Sequence, residues 1–370
     1  MKKDWLMKKL GEVCEISSGK SNTEDAVENG DYAFFDRSKI VKRSSKYLFD
    51  SEAIIIAGEG QTFPPKFYSG KFDLHQRAYA LFDFKNEISV HYVFNYLIHF
   101  QKYFENVAVG TTVKSLRLRH FQELPIPVPT IIEQQQIVSI LDEAFAAIEQ
   151  AKQNLQRNLQ NAKDLSQSEK NQLFENLGKT AGKVPIASVC NEIFAGGDAP
   201  KGNFSDEKTE EYPIPIYANA VGRKGLYGFT DVSRVTEPSI TIAGRGSGTG
   251  YTEIRYEPFF PIVRLIVLTP NIEKITLEFL KYAIQSLTIL KSGSAIPQLT
   301  IPMIKGYSLP LPSLKEQKKI VYQFDTLEVE TKNLENIYQQ KLNALEELKK
   351  SILQKAFSGE LTEKKTAVSA

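Results

Sequence analysis

Basic and amide side chains gather in a few short stretches of the sequence, together with serine and tyrosine. Arginine, glutamine and asparagine can form paired hydrogen bonds with base edges, and lysine, serine and tyrosine contact phosphates. The candidate residues for such contacts are Arg37, Lys39, Lys42, Arg43, Gln76, Arg77, Lys114, Arg117, Arg119, Arg223, Lys224, Arg245, Arg255 and Arg264. Any single one of these residues is more commonly just a charged or polar side chain on a solvated surface. The clustering of the residues as a group favours a role in binding nucleic acid.

Motifs of catalysis are matched only superficially. The stretch AGRGSGTGY at 243–251 fits neither the phosphate-binding nor the dinucleotide-binding glycine pattern. FPPKF at 63–67 resembles the catalytic loop of amino-methyltransferases, but Phe63 replaces the polar residue that holds the target amine. The four histidines lack metal-ligand spacing. We therefore expect no catalytic residue, metal or cofactor in this chain. This expectation argues against one possible class of protein, a self-contained enzyme that fuses a methyltransferase with a nuclease.

The bulk composition bounds the class of protein. The 370 residues are 42% hydrophobic and 24% charged, which suffices for two buried cores. The net charge of +2 argues neither for nor against nucleic acid. Apolar runs of membrane-spanning length and the apolar core of a signal peptide are absent from the sequence. Only two cysteines, Cys14 and Cys190, are present, and we expect them to be buried in equivalent strands of a reduced, cytoplasmic protein.

Thirteen residues recur in the two halves of the chain, as IPVPTIIEQQQIV at 126–138 and LPLPSLKEQKKIV at 309–321, with six identities. Other stretches match in the same order: 10–19 with 186–197, 54–60 with 240–246, 93–98 with 279–284, and 110–118 with 293–301. An internal repeat of this length indicates a duplicated domain with an attached arm. Because the residues between these anchors differ greatly, the two copies are expected to recognise different things.

Each copy of the thirteen-residue repeat predicts a helix start. A Thr or Ser N-cap is followed three residues later by Glu, which is the pattern of a capping box, and then by Gln. The residues assigned to the two helix starts are Thr130, Glu133, Gln134, Ser313, Glu316 and Gln317.

Long helical patterns follow both starts without an internal break. Apolar residues recur in alternating steps of four and three, and include Leu165 in the first helix and Leu334 and Leu348 in the second. Gly178 and Gly359 stand where a terminal glycine would end each helix. Since such a seam needs a second long helix, we predict that the two helices pair in antiparallel orientation. Two separate helical hairpins are the alternative.

The predicted fold class is therefore α/β: two mixed α/β domains joined by two long antiparallel coiled-coil helices, with an internal pseudo-two-fold repeat. Strand-like runs lie at 53–58, 77–84, 239–244 and 263–269, and a short helix is expected in each domain, around 89–105 and 275–290. The predicted segments are 1–130 for domain 1, 131–178 for the central helix, 179–312 for domain 2, 313–360 for the C-terminal helix and 361–370 for a polar tail.

This organisation resembles the specificity (S) subunit of type I restriction–modification systems over nearly the whole chain. The most specific stretches are the doubled thirteen-residue repeat and SILQKAFSGEL at 351–361. FDLHQRAYAL at 72–81 and GTTVKSLRLRHFQELPIP at 110–127 resemble the family's first recognition domain. PIYANAVGRKGLYGF at 215–229 and IAGRGSGTG at 242–250 resemble its second; the family often has lysine where Arg245 stands here.

The resemblance implies that each domain is a target-recognition domain that reads half of a split sequence in double-stranded DNA. The helices would set the gap between the half-sites and, around the helix starts, dock two modification subunits that use S-adenosylmethionine. Two restriction subunits would add ATP- and magnesium-dependent translocation and cleavage. This chain would be non-catalytic, with no membrane partner. The remaining alternative is a coiled-coil spacer or scaffold without sequence-specific DNA binding.

Overall fold

The computed structural model describes residues 4–246, 248–287 and 298–363. The chain divides into two compact units. Unit 1 consists of Met1–Gln156 with Gln339–Ala370, and unit 2 consists of Arg157–Tyr338. Each of the two long helices contributes one part to each unit.

The helices of the described residues are α1 (Leu10–Val13), α2 (Val90–His99), α3 (Gln101–Val107), α4 (Leu118–Gln122), α5 (Ile131–Thr180), α6 (Leu277–Ser286), α7 (Ile301–Gly306), α8 (Leu314–Ser358) and α9 (Glu360–Glu363). The strands are β1 (Leu6–Lys9), β2 (Glu15–Ser18), β3 (Tyr32–Phe35), β4 (Lys42–Ser44), β5 (Phe49–Ala57), β6 (Glu59–Gly60), β7 (Lys66–Leu74), β8 (Ala78–Phe82), β9 (Lys114–Ser115), β10 (Pro125–Val128), β11 (Lys183–Pro185), β12 (Cys190–Ala195), β13 (Ile214–Tyr217), β14 (Leu226–Thr230), β15 (Ser239–Ile242), β16 (Thr252–Arg255), β17 (Phe260–Pro261), β18 (Ile266–Pro270) and β19 (Ser308–Pro310). The α/β fold class is confirmed.

Unit 1 is built on a six-stranded sheet in the order β2-β8-β5-β7-β3-β4. The run AIIIA within β5 is buried on both faces: Ile54 and Ile56 join the core that includes α2, whereas Ala53 and Ile55 join a second core inside the curled sheet. The curl is visible in the backbone, because the N–H of Lys20, just beyond edge strand β2, bonds to the carbonyl of Leu74 at the end of β7. This curl brings loops from several strands to one rim.

Unit 2 divides its strands between two main sheets. Its sheets have the orders β12-β18-β15-β16 and β14-β13-β17. Alternate residues of β15, Ile240 and Ile242, pack with Ile266 and Leu268 of β18 against the core of α6 and α7. The residues between them are buried as well, and Val267 joins a second core, so both faces of these strands are covered.

Equivalent backbone hydrogen bonds show that the repeat extends to three dimensions. The bonds of unit 1 run from Leu10 N to Leu124 O (2.8 Å), Gly19 N to Ala78 O (3.2 Å), Lys85 N to Val13 O (2.9 Å) and Leu116 N to Gly58 O (2.7 Å). Their counterparts in unit 2 run from Ile186 N to Tyr307 O (2.9 Å), Gly196 N to Leu265 O (2.8 Å), Asn271 N to Val189 O (2.8 Å) and Leu299 N to Gly244 O (2.8 Å). The duplicated frame is thus preserved while the intervening loops differ.

The glutamines of the repeat join each long helix to its domain. In unit 1, Gln134 accepts a hydrogen bond from Ser89 N at 2.8 Å, and its amide donates to the carbonyls of Glu87 and Pro129, both at 2.9 Å. In unit 2, Gln317 makes the equivalent bonds with Thr276 N, Lys274 O and Pro312 O at 2.8, 2.9 and 3.0 Å. Both side chains are fully buried, so a partner subunit has no access to them in this structure.

Replacing Gln134 with Leu should lower the free energy of unfolding of unit 1 by about 3 kcal/mol, because three buried backbone groups lose their partners. Gln135→Leu, at the exposed neighbouring position, is the control for added apolar surface. Chemical denaturation of both variants measures the difference. Equal midpoints for the two variants would show that the buried amide contributes nothing specific.

The capping box is complete in the second copy. Ser313 N donates to a Glu316 carboxylate oxygen at 3.0 Å, and Glu316 N donates to Ser313 Oγ at 3.4 Å. In the first copy, Glu133 N donates to Thr130 Oγ1 at 3.3 Å. The Glu133 carboxylate also accepts hydrogen bonds from Trp5 Nε1 (3.2 Å) and Thr362 Oγ1 (2.7 Å). The start of α5 is therefore tied to residues from both ends of unit 1.

Inside each unit, α5 and α8 run antiparallel. In unit 2, ion pairs join Lys163 to Glu335 (3.4 Å) and Lys170 to Glu328 (2.6 Å), so a step of seven residues forward in one helix matches seven backward in the other. In unit 1, Lys152 forms an ion pair with Glu346. The antiparallel pairing predicted from the heptads is confirmed, and separate hairpins are excluded.

The predicted seam is wrong at three leucines. Leu165, Leu334 and Leu348 are 61%, 40% and 48% exposed, and the neighbouring Ser166 is buried in place of Leu165. A straight α-helix drifts by about 20° per heptad relative to a strict seven-residue repeat. Leu165 and Leu348 lie four heptads after the first seam residues of their helices, Ile137 and Ile320, so the drift there reaches about 80° and favours the next residue as the inward position. Leu334 lies two heptads after Ile320, where half of that drift has accumulated. The strict heptad pattern ignored this drift.

The predicted ends of the helices are partly wrong. The first helix continues through Gly178 to Thr180, and Gly182 (φ +71°) is the glycine in the left-handed conformation beyond its end. Gly359 (φ +89°) follows the last residue of α8, as predicted. The polar tail predicted from 361 begins instead as helix α9, where Leu361 packs against the unit 1 core. Residues 364–370 lie outside the described part.

Candidate nucleic-acid interface

A polar cleft of about 440 Å³ opens at the rim of the unit 1 sheet. It forms where the turn between β7 and β8 meets the loops that follow β2 and β3 and the first residue of β6. Its lining residues are Asn22, Thr23, Glu24, Asp36, Arg37, Glu59, His75, Gln76 and Arg77. Three predicted residues, Arg37, Gln76 and Arg77, are thus brought together from distant parts of the sequence.

Two of these side chains are held by neighbours that the sequence analysis did not single out. Arg77 forms an ion pair with Glu59 at 2.6 Å, and the amide of Gln76 donates to Asn22 Oδ1 at 2.5 Å. Arg77 remains 62% exposed, whereas Glu59 is only 16% exposed. The guanidinium is therefore fixed on one side and presented to solvent on the other.

His75 lies beside these groups in the lining of the cleft. Burial and the nearby Arg77 lower the pKa of His75 below its ordinary value, although Asp36 opposes the shift. Its Nδ1 accepts a hydrogen bond from Arg77 N at 3.1 Å, and its Nε2 faces Thr23 Oγ1 at 3.4 Å. The imidazole thereby shapes the turn that carries Arg77.

The basic loop after β3 divides into supporting and exposed residues. Asp36, whose side chain is almost buried, accepts hydrogen bonds from Ser38 N (2.7 Å) and Lys42 Nζ (2.6 Å). Burial alone would raise the pKa of Asp36, but these hydrogen bonds outweigh burial and lower it. Lys42 therefore supports the loop, while Arg37 and Lys39 are exposed.

Arg43 on β4 also makes supporting hydrogen bonds, although the residue is exposed. Its guanidinium donates to the carbonyls of Gly30 and Asp31, both at 2.8 Å. A separate group precedes the first long helix: Lys114 donates to Glu105 O at 2.7 Å, while Arg117 and Arg119 are exposed. The structure does not bring this group into the cleft lining.

In unit 2, Arg223 and Lys224 form the tip of a turn with left-handed backbone, at φ +50° and +55°. Arg255 lies beneath this turn and is buried. Its guanidinium carbon lies 3.6 Å from the Tyr217 ring centre, and its nitrogens donate to Lys224 O (2.5 Å) and Thr241 Oγ1 (3.2 Å). Arg255 thus supports the turn instead of lying at the surface, and Arg223 and Lys224 are exposed above it.

Arg245 and Arg264 are exposed on two further loops of unit 2. Asn219 fixes the first loop, since its Nδ2 donates to Arg245 O at 2.6 Å and its Oδ1 accepts from Arg245 N at 3.2 Å. Val263 and Arg264 both have left-handed backbone, at φ +50° and +59°. Such a conformation is uncommon for a β-branched residue and concentrates at functional sites.

Residues missed by the sequence analysis are chiefly the partners of the arginines. Glu59 and Arg245 occupy the same place in the matched stretches IIIAGEG and ITIAGRG, so their alignment could have singled out Glu59. No comparable signal marked Asn22 or Asn219, because their partners are distant in sequence.

Other functional chemistry has little support in the described residues. Burial raises the pKa of the Cys14 and Cys190 thiols to about 12, so both stay protonated near neutral pH. Within residues 4–246, 248–287 and 298–363, no cluster of three His, Cys, Asp or Glu residues could hold a metal ion. Over the same ranges, none of the helices combines the length and apolar character needed to span a membrane.

The fold and this site define a class: a protein with two divergent recognition domains on one frame, each followed by a long paired helix. The family model for the type I restriction modification DNA specificity domain matches residues 2–157 and again residues 179–347. The chain therefore belongs to this family, and the predicted resemblance to type I specificity subunits is confirmed.

Individual relatives agree with this assignment. The chain is 24% identical to the specificity subunit of the Escherichia coli type I restriction enzyme EcoDI, over 97% of this chain and 89% of that protein. It is 26% identical to the type I specificity subunit S.MpnORF507P of Mycoplasma pneumoniae, over 86% and 88% of the two chains. A chain from a structure that describes complex assembly of the type I R-M system has the same fold, with a TM-score of 0.76 and 16% sequence identity. The match covers 95% of this chain and 97% of that chain.

Proposed function

We propose that this chain is the DNA-reading subunit of a type I restriction–modification complex, in which each domain reads one half of a bipartite target. The observation that carries the proposal is the preserved frame with different exposed polar side chains on each copy. Both units present an arginine at one equivalent position, Arg77 and Arg264. Unit 1 adds Arg37 and Gln76, whereas unit 2 adds Arg245 at the position where unit 1 has Glu59. Such side chains read base edges, and a shared frame delivers them in the same way.

The partners and cofactors complete the proposal. Two modification subunits would dock along the long helices and supply S-adenosylmethionine-dependent methylation of adenine. Two restriction subunits would add ATP- and magnesium-dependent motor and nuclease activity. This chain would contribute no catalytic residue, and the complex would act on cytoplasmic double-stranded DNA.

The double variant Arg37→Ala/Lys39→Ala tests DNA binding. It is assembled into a complex with the modification subunits. Both side chains are exposed at the rim, so removing them should weaken binding to all duplexes. Each phosphate contact contributes about 0.9 to the slope of log affinity against log salt concentration, so the slope should become shallower by roughly 2. Titration at several salt concentrations measures this slope.

Lys85→Ala with Lys102→Ala is the matched control, because both lysines are exposed on unit 1 but do not line the cleft. The control should retain the wild-type slope. Identical slopes for all three proteins, or equal affinity of the wild-type complex for every duplex sequence, would favour the scaffold alternative.

A further inference from the structure

Strand register makes Arg77 and Arg264 equivalent residues of the two domains. Arg77 precedes β8 and Arg264 lies two residues before β18, and these strands pair in the same way with β5 and β15. A Cβ atom added to Gly58 would lie 2.6 Å from the Arg77 carbonyl, and one added to Gly244 would lie 3.0 Å from the Arg264 carbonyl. Each turn therefore carries an arginine at the same position of the frame.

The residue beside each arginine differs in charge. Gly58 and Gly244 accept equivalent backbone hydrogen bonds, so the residues that follow them, Glu59 and Arg245, are also equivalent. In unit 1 the carboxylate forms the 2.6 Å ion pair with Arg77. In unit 2 the equivalent residue is Arg245, which is exposed, as is Arg264. One half thus has a neutralised pair, and the other has two cations.

A carboxylate next to a DNA-reading arginine has two opposing effects. It repels phosphates, so it weakens binding to every sequence. It also holds the guanidinium in one orientation, and the N–H groups that remain free can bond to guanine O6 and N7. An arginine without this restraint can turn to a phosphate and lose base discrimination.

We propose that Glu59 is a specificity-determining residue that orients Arg77 toward one guanine of the first half-site. The residue acts through Arg77 and lowers affinity in exchange for discrimination at one base pair. Arg245, at the equivalent position of unit 2, has the opposite effect and strengthens binding to the phosphate backbone. This inference rests on the proposed DNA-reading function.

Glu59→Gln tests the proposal, because glutamine keeps the shape and an acceptor oxygen but loses the charge. The assembled complex with its modification subunits is titrated with duplexes in which each base pair of the first half-site is replaced in turn. We expect tighter binding to all duplexes and a roughly tenfold loss of discrimination at one base pair. Arg77→Lys, which loses the planar fork, should reduce discrimination at that same base pair.

Glu52→Gln is the matched control, since Glu52 is exposed on β5 and does not line the cleft. It removes the same charge and should leave every discrimination ratio unchanged. The proposal is overturned if Glu59→Gln leaves all ratios unchanged, or if it weakens binding equally on all duplexes. If the wild-type complex itself does not distinguish these duplexes, the proposed function fails instead.

Discussion

One extra heptad in α5 and one in α8 should lengthen the gap between the two halves of the recognised sequence by about three base pairs. Each helix is continuous, with 50 and 45 residues, and has one part in each compact unit. Seven residues add about 10 Å at 1.5 Å per residue, and DNA rises about 3.4 Å per base pair. The insertions belong after Gln156 and after Tyr338, where each helix passes between units. The methylated motif of the variant complex gives the new gap.

The extension also changes the rotation between the half-sites. Three base pairs turn the second half-site by roughly a third of a helical turn, so activity should fall even when the longer gap is preferred. The contrasting variant has a heptad inserted in α5 alone. The insertion lies between Lys152 and Lys163, so the helix register that pairs Lys152 with Glu346 no longer pairs Lys163 with Glu335. That variant should lose stability. An active double variant with an unchanged gap would mean that partner subunits set the spacing.

Exchange of residues 1–130 for the first domain of another family member should replace one half of the methylated motif and leave the other unchanged. The shared backbone frame carries different rim residues in each copy, which makes the domains separable in specificity. The donor must keep the aromatic cluster in which Phe357 contacts Tyr92, Tyr96 and His99, at ring-centre distances of 5.5, 5.2 and 5.6 Å.

Sequencing of the modified motif in cells reads the result of the exchange directly. The control keeps this chain's residues 1–130 and receives the donor's residues 179–312, which should change the other half of the motif. Changes in both halves after either single exchange would contradict independent reading by the two domains.

Local patterns in the sequence predicted much of the architecture. The doubled thirteen-residue stretch indicated both helix starts, and its capping box is complete at Ser313. The seam was predicted less well, because a strict heptad ignores the drift of a straight helix and therefore placed Leu165 inside. Gly178 was taken as a helix end because composition alone does not reveal that Gly182 has the positive φ.

The candidate site was predictable only as a set of clusters. Composition drew attention to Arg77 and Arg255 equally, yet the first is presented at a rim and the second is stacked under a turn. The difference depends on contacts with Glu59 and Tyr217, which are 18 and 38 residues away along the chain. Strand register brings these residues together, and register depends on the whole sheet.

The core of unit 1 includes Leu353, Ala356 and Phe357 from the end of α8, beside residues that begin with Trp5. During synthesis, a ribosome makes all of unit 2 before it adds these residues. The first domain to leave the ribosome is therefore the last to complete its core, and the nascent chain carries an exposed apolar surface for most of translation. A premature stop shortly before residue 353 would leave unit 2 whole and unit 1 unfinished, so chaperones and proteases would act mainly on the domain that was made first.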